Sequence, residues 1–412
     1  MTRIIDTEFL KNPYPVYSTL RTQGPVHWSE DFCGGAWLLT DYADVMYALR
    51  DPAFSTRRAG GWANTAGTDA SIRLTDFKRI FSRALLFVDG RQHTRLRRAM
   101  NAGFRPTLLE SFRPRIQSIV DELIDNLAQE TEADFIARFA RELPARVIAG
   151  LLGVDESDRD TFFSWSDDIA TFVSSPTPTM DIALRAQDSL LALCEYFQAL
   201  LPQRRHQRRT DLIGMLLDAE KQGLIITTKE LLAQCCTLLF AGHETTRNLL
   251  GSGLYTLLRH PQQLQQLRAT PALMSSALRE MLRFESPVQY TGRRVKVDMQ
   301  LHGHTLRKGD LVILLIGAAN RDPKRFRNPD SFDVSRDEGN HLAFGYGPHV
   351  CIGAALTYLE AEMAFNALLC RFPELQLAAN AAEWMGNAVY RGLFKLPVRP
   401  NASAPNGLRK TA

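Results

Sequence analysis

Apolar residues recur at three- and four-residue spacing over much of the chain, and from Arg113 to about Leu217 this pattern predicts helix after helix. The stretch breaks at Ser174-Ser175-Pro176-Thr177-Pro178, where two prolines lack the amide hydrogen. It therefore reads as two helices joined by a loop that could move as a lid. A more informative helix begins at Thr227-Thr228-Lys229-Glu230, a capping box in which Thr227 takes a free amide and Glu230 reaches back. No proline follows until Pro261, so this helix can run about 30 residues, roughly 45 Å. Its interior, Leu238 to Gly242, is apolar all round and predicts a path through the protein centre. Further helices are expected at Tyr42 to Leu49, Leu273 to Phe284 and Ile352 to Arg371. Strands are expected at Ala36 to Leu39, Arg293 to Val297 and Leu311 to Ile316, and a Gly/Ala/Thr-rich loop from Ala59 to Thr68. The fold class is mainly α with small β-sheets.

Composition narrows the setting. The chain has 412 residues, 45% of them hydrophobic, enough for a large core, and no linker or fixed-period repeat divides it. One domain over 1–399 with a flexible tail over 400–412 is expected. The longest apolar run, Leu311 to Ala319, is too short to span a bilayer, and no secretory leader is evident, so a cytoplasmic protein with free thiols is expected. The net charge of +4 gives no reason to invoke nucleic acid. The basic cluster Arg204, Arg205, Arg208 and Arg209 reads as a solvated helix end. His27, His260, His302 and His304 read as surface or turn residues, and Cys235 and Cys236 as helix packing.

The densest chemistry lies in Phe344-Gly345-Tyr346-Gly347-Pro348-His349-Val350-Cys351-Ile352-Gly353. Glycines at 345 and 347 let the backbone turn where side chains would clash, and Pro348 stiffens the approach to Cys351. A cysteine just before a long helix has free amides and the positive helix end around its sulfur, which favours thiolate, the metal-binding form. An inert cysteine beside a turn explains each residue separately but not their combination.

Three other clusters stand out. Ala241-Gly242-His243-Glu244-Thr245-Thr246 lies inside the apolar helix, where unpaired polar groups cost about 2 kcal/mol or more each. His243-Glu244 opens a zinc-protease pattern, but Arg247 stands where the second histidine belongs. Glu280 and Arg283 are spaced to pair on one helix face, which alone signifies little. His93 and Arg97 lie one turn apart and could clamp a carboxylate, against the plainer reading of a basic face with Arg91, Arg95 and Arg98.

The decapeptide resembles the heme-binding loop of cytochromes P-450, and the companion motifs follow in that family's order. The resemblance implies a triangular helical prism with heme b between the long central helix and the Cys351 helix. It implies Cys351 as the axial iron ligand, with Phe344, Gly345 and Gly353 around the cofactor. Gly242 and Thr245 would open the central helix into an oxygen-binding groove, Thr245 hydrogen-bonding the oxygen and Glu244 relaying protons. Glu280 and Arg283 would brace the heme loop; the family's further arginine is replaced by Ser331, with Arg336 close by. His93, Arg97, Arg293 and His349 would hold the propionates, Arg294 being adjacent to Arg293.

The activity implied is insertion of one oxygen atom from O2, by hydroxylation or epoxidation, into a mostly apolar small molecule such as a natural-product intermediate. No nicotinamide or flavin fingerprint is present, so electrons would come from a ferredoxin-type partner with its reductase, to a monomer free of membrane and nucleic acid. Leu238 and Ala241 share a face with Thr245 and should look into the pocket. By resemblance, Leu86 within Leu85–Val88, then Val288, Tyr290 and Thr291, then Val389 and Tyr390, complete the walls. The rivals are a peroxide-using or isomerising heme-thiolate enzyme and a non-catalytic heme sensor. Glu244 and Thr245 favour oxygen chemistry.

Overall fold

The computed structural model describes residues 4–57, 73–175, 178–207, 209, 211–378 and 382–401. The expectations for the Ala59–Thr68 loop, Pro176-Thr177, Arg208 and the tail beyond residue 401 lie outside these residues. Helices dominate, with small sheets at one side. The central helix spans Thr228–Arg259 and is buried on nearly every face. It packs against the helices Glu142–Leu152, Met180–His206, Met274–Phe284 and Ala354–Arg371, which together form the main apolar core. Among the described residues no helix is long and apolar enough to cross a membrane.

Local chemistry sets the ends of this helix. The Thr227 hydroxyl accepts the Glu230 amide at 3.1 Å, and His260 closes the far end before Pro261. The return half of the capping box does not form. Glu230 instead accepts the Ile226 amide at 2.9 Å and forks onto Arg95 at 2.6 and 3.0 Å, because a charge-assisted bidentate pair outcompetes a single amide. The helix continues through Gly242 and Thr245. Gly242 serves close packing: a Cβ there would lie 3.0 Å from Ile148 Cγ1 on the neighbouring helix.

The sheet beside the helices has five strands in the order Val26–Ser29, Ala36–Leu39, Leu311–Leu314, Thr291–Val295 and Phe54–Ser55. Only the pairing of Ala36–Leu39 with Leu311–Leu314 is parallel. The strands from Leu311 and Thr291 end earlier than expected, at Leu314 and Val295. The last long helix starts at Ala354, two residues later than expected, because Ile352 and Gly353 form the turn that leaves Cys351 outside it. Arg204 is not solvated: it is buried against Asp211, whose other oxygen caps the helix Leu212–Lys221 through the Gly214 amide.

Glu280 and Arg283 form a buried bidentate pair at 2.6 and 2.8 Å. Arg283 also donates to the carbonyls of Asn320, Pro329 and Ser331, and Arg336 supplies a second guanidinium to Glu280 at 3.1 Å. Arg336 thus takes the place left by Ser331, whose carbonyl accepts from both arginines. Asn320 carries the network onward, its side-chain oxygen accepting the Leu342 amide at 2.7 Å at the entrance to the cysteine loop. Arg283→Met leaves a buried carboxylate short of one cation and several carbonyls without donors. The expected loss is about 3–5 kcal/mol of unfolding free energy by urea denaturation; a loss below about 1 kcal/mol, the range of surface pairs, would show the brace to be dispensable.

Candidate active site

The cysteine loop is folded by its glycines. Gly345 and Gly347 both have positive φ, 72° and 74°, and a Cβ on Gly347 would come within 3.1 Å of the Arg50 backbone. The Cys351 amide donates to the Phe344 carbonyl at 2.8 Å, closing the loop and turning the sulfur towards a cavity of about 490 Å³. Burial pushes the Cys351 thiol up, while the amides of Gly353 and Ala354 and the charge of Arg97 act to bring it down. Those opposing influences make a site that would favour an anionic sulfur once a positive partner arrives.

Four cationic or ionisable groups stand around the same floor. His93, Arg97, Arg293 and His349 all line the cavity. The rings of His93 and His349 lie 3.9 Å apart, and His93 Nε2 is buried without a hydrogen-bond partner. Burial and the nearby Arg97 hold the His93 imidazole below its usual range, hence neutral near pH 7. Arg97 donates to the Val350 carbonyl at 2.5 Å, tying its helix to the cysteine loop. Arg293 is the buried member of its pair, whereas Arg294 reaches the Gly309 carbonyl at the surface. His349 also lies 3.8 Å from Asp89, itself held by Ser55 and Thr56.

The opposite wall is the central helix. Leu238, Ala241 and Thr245 line the cavity, as do Leu86, Val288, Tyr290, Thr291, Val389 and Tyr390. Thr245 Oγ1 leans back to the Ala241 carbonyl at 3.4 Å, a long bond that is easily exchanged. Phe344 and Gly345 reach the cavity; Gly353 sits behind, where a Cβ would approach the Cys351 sulfur at 3.9 Å. Glu244 does not line it: it lies 4% exposed on the helix's other side, paired with Arg247 at 3.1 Å. Glu280 and Arg283 are structural and remote from the lining.

Several lining residues carried no motif. Phe77, Phe81, Phe87, Phe172 and Phe240 form an aromatic roof, with Phe77 and Phe81 stacked at 4.2 Å and Phe81 beside Phe240 at 5.8 Å. Only Phe77 and Phe81 carry a local sequence signal, their four-residue spacing. Among the described residues no Asp or Glu lines the cavity, so its charged groups are cationic or neutral and the rest of its wall is apolar with a few uncharged polar side chains.

A family model described as cytochrome P450 matches residues 64–270 and 271–381. The chain is 37% identical to the biotin biosynthesis cytochrome P450 of Bacillus subtilis (strain 168), over 95% of this chain and 97% of that protein. It is 39% identical to the cytochrome P450 monooxygenase PikC of Streptomyces venezuelae, over 95% of this chain and 92% of that one. Among solved structures, P450BioI in complex with acyl carrier protein ligated to hexadec-9Z-enoic acid superposes with a TM-score of 0.89. That match has 36% identity and covers 95% of this chain and 99% of the other.

Ala241 is an alanine at the cavity surface, and Ala241→Phe would put a ring into the space beside Thr245. Overpacking of about 1–3 kcal/mol corresponds to a roughly tenfold to hundredfold loss of affinity for an apolar ligand. Equilibrium ligand titration measures it, with circular dichroism to show that the fold persists. Unchanged affinity would place binding elsewhere.

Proposed function

The chain belongs to the cytochrome P450 family and is a monooxygenase of that family, and from this premise we propose how its own residues divide the work. The carrying observation is that Cys351 faces one cavity from the floor while Thr245 faces it from the central helix. The residues suit the family's heme. The Cys351 sulfur, which burial pushes up but the Gly353 and Ala354 amides and Arg97 draw down, would hold the iron, and the orphaned His93 nitrogen, with Arg97, Arg293 and His349, offers donors for two carboxylates. When bound, heme supplies the activation of O2, its thiolate ligand favouring O–O cleavage.

The protein's part is positioning and proton control. Thr245 can exchange its long bond to Ala241 for one directed into the cavity, and so pass a proton to the reacting oxygen. Glu244, held by Arg247 and by Asn248 at 3.5 Å, resupplies that hydroxyl from behind the helix. The phenylalanine roof excludes water and grips an apolar substrate by dispersion. Tyr290, Thr291 and Tyr390 supply the few polar handles that such pockets use for orientation. The substrate is a mostly apolar small molecule, such as a natural-product intermediate, that is hydroxylated or epoxidised. The biotin-biosynthesis relative and the fatty-acyl complex support that class. Electrons come from a ferredoxin-type protein and its reductase, since the sequence carries no flavin or nicotinamide fingerprint.

Two outcomes test the assignment. Cys351→His should abolish the strongly red-shifted Soret band of the reduced protein with carbon monoxide; persistence of the band would make another residue the ligand. Thr245→Ala should keep heme and substrate affinity but lower product formed per electron consumed, with peroxide released instead. Positioned proton transfer contributes on the order of a hundredfold or more, so the loss should be several-fold at least. Equal product per electron in variant and parent would remove Thr245 from the proton path.

A further inference from the structure

The side of the central helix that faces away from the cavity carries His243, Glu244 and Arg247, and against it lies the helix Arg159–Ser174. His243 is 1% exposed, with its Phe163-facing ring stacked at 6.2 Å. Its Nδ1 lies 3.1 Å from the Ser166 hydroxyl. Its Nε2 makes no formed hydrogen bond, yet stands between two carboxylates, 3.5 Å from Asp167 Oδ1 and 3.9 Å from Glu244 Oε2. The two carboxylates differ in the way a conduit requires. The Asp167 side chain is 38% exposed, and that of Glu244 is 4% exposed.

We infer that His243 is the proton port of the site, taking protons from solvent through Asp167 at Nε2 and passing them to Glu244. The inference rests on the proposed role of Glu244 and adds the route by which that carboxylate is recharged. The transfer uses the tautomer in which Nδ1 carries the proton and donates to Ser166, leaving Nε2 able to accept one. A proton from solvent is taken up by the Asp167 carboxylate, and the carboxyl so formed passes it to Nε2 and returns to carboxylate. The imidazolium then gives the Nε2 proton to Glu244 and returns to its neutral form. One nitrogen serves both neighbours, so no ring flip is needed, and the distances close to hydrogen-bond length with sub-ångström to one-ångström side-chain shifts.

The charges around His243 fit this traffic. From its own helix it meets Glu244 and Arg247; from the packed helix it meets Asp167, Asp167 in turn being paired with Arg141 at 2.8 Å. Burial would raise the Asp167 carboxyl, but His243, Arg141 and Arg247 hold it below its usual range, so it rests as an anion towards solvent. The same trio, Asp167, His243 and Glu244, could in principle ligate a cation. Two guanidiniums already neutralise its carboxylates, which disfavours a divalent ion and leaves the proton as the natural cargo.

The test compares His243→Phe, His243→Gln and Asp167→Asn with the parent holoenzyme. His243→Phe keeps an aromatic ring against Phe163 but removes the base. It should leave the carbon monoxide spectrum and ligand affinity unchanged and lower product per electron by roughly tenfold. That is below the hundredfold of a directly acting group because water can partly substitute. His243→Gln keeps an amide that can hydrogen-bond Ser166 yet takes up no proton, and it should be as uncoupled as His243→Phe. If Gln restores coupling, His243 is merely structural and the port is refuted. Asp167→Asn removes the solvent-side carboxylate and should lower product per electron as His243→Phe does, with the carbon monoxide spectrum unchanged. Full coupling in Asp167→Asn would overturn the inference. If Glu244→Gln itself leaves coupling unchanged, the underlying reading of Glu244 fails; if only His243→Phe does, the port alone fails.

Discussion

The buried carboxylate of Glu280 is the fixed point from which the floor of the site is hung. It accepts from Arg283, from Arg336 and from the Asp333 amide, so its charge is met on several sides in a place water does not reach. Arg283 passes the constraint to the carbonyls of residues 320, 329 and 331, and Asn320 passes it to Leu342. From there Leu342 accepts the Gly345 amide, and Phe344 accepts the Cys351 amide. A succession of hydrogen bonds therefore leads from one helix to the backbone of Cys351. Ion pairs of this kind are poor sources of net stability, but each is costly to break. That suits a site whose geometry must not relax into its own cavity.

The cysteine loop and the central helix were legible because their chemistry is local. Glycines two apart, a proline and a cysteine before a helix report their own geometry, and Thr227 with Pro261 marks a helix within a residue or two. The misreadings arose where a distant partner decided the outcome. Glu230 left its capping role for Arg95, 135 positions away. Arg204 belonged to a run of surface charge until Asp211 enclosed it. Arg336 could be noticed as a nearby arginine, but only the path of the chain between Asn320 and Glu338 shows that it reaches Glu280. The aromatic roof was invisible for the same reason, since Phe77, Phe172 and Phe240 meet from three separate helices.

The central helix also separates two incompatible environments with one periodicity. Residues 238, 241 and 245 repeat at three and four positions and face a cavity without acidic side chains among the described residues. Residues 243, 244 and 247 repeat at similar spacing on the other side and hold both signs of charge. Had the two sets been merged, carboxylates would stand in an apolar pocket beside a sulfur that must stay anionic, and each would raise the proton affinity of the other. Keeping the acids behind the helix spares the sulfur that repulsion and leaves Thr245, next in sequence to Glu244, as the polar group that spans the divide. The price is that protons must cross a packed helix interface, and there the Arg159–Ser174 helix brings Ser166 and Asp167 against His243. On the proposed roles, the apolar pocket and the supply of protons would be served from opposite faces of the same helix, which carries apolar residues on one and the charged cluster on the other.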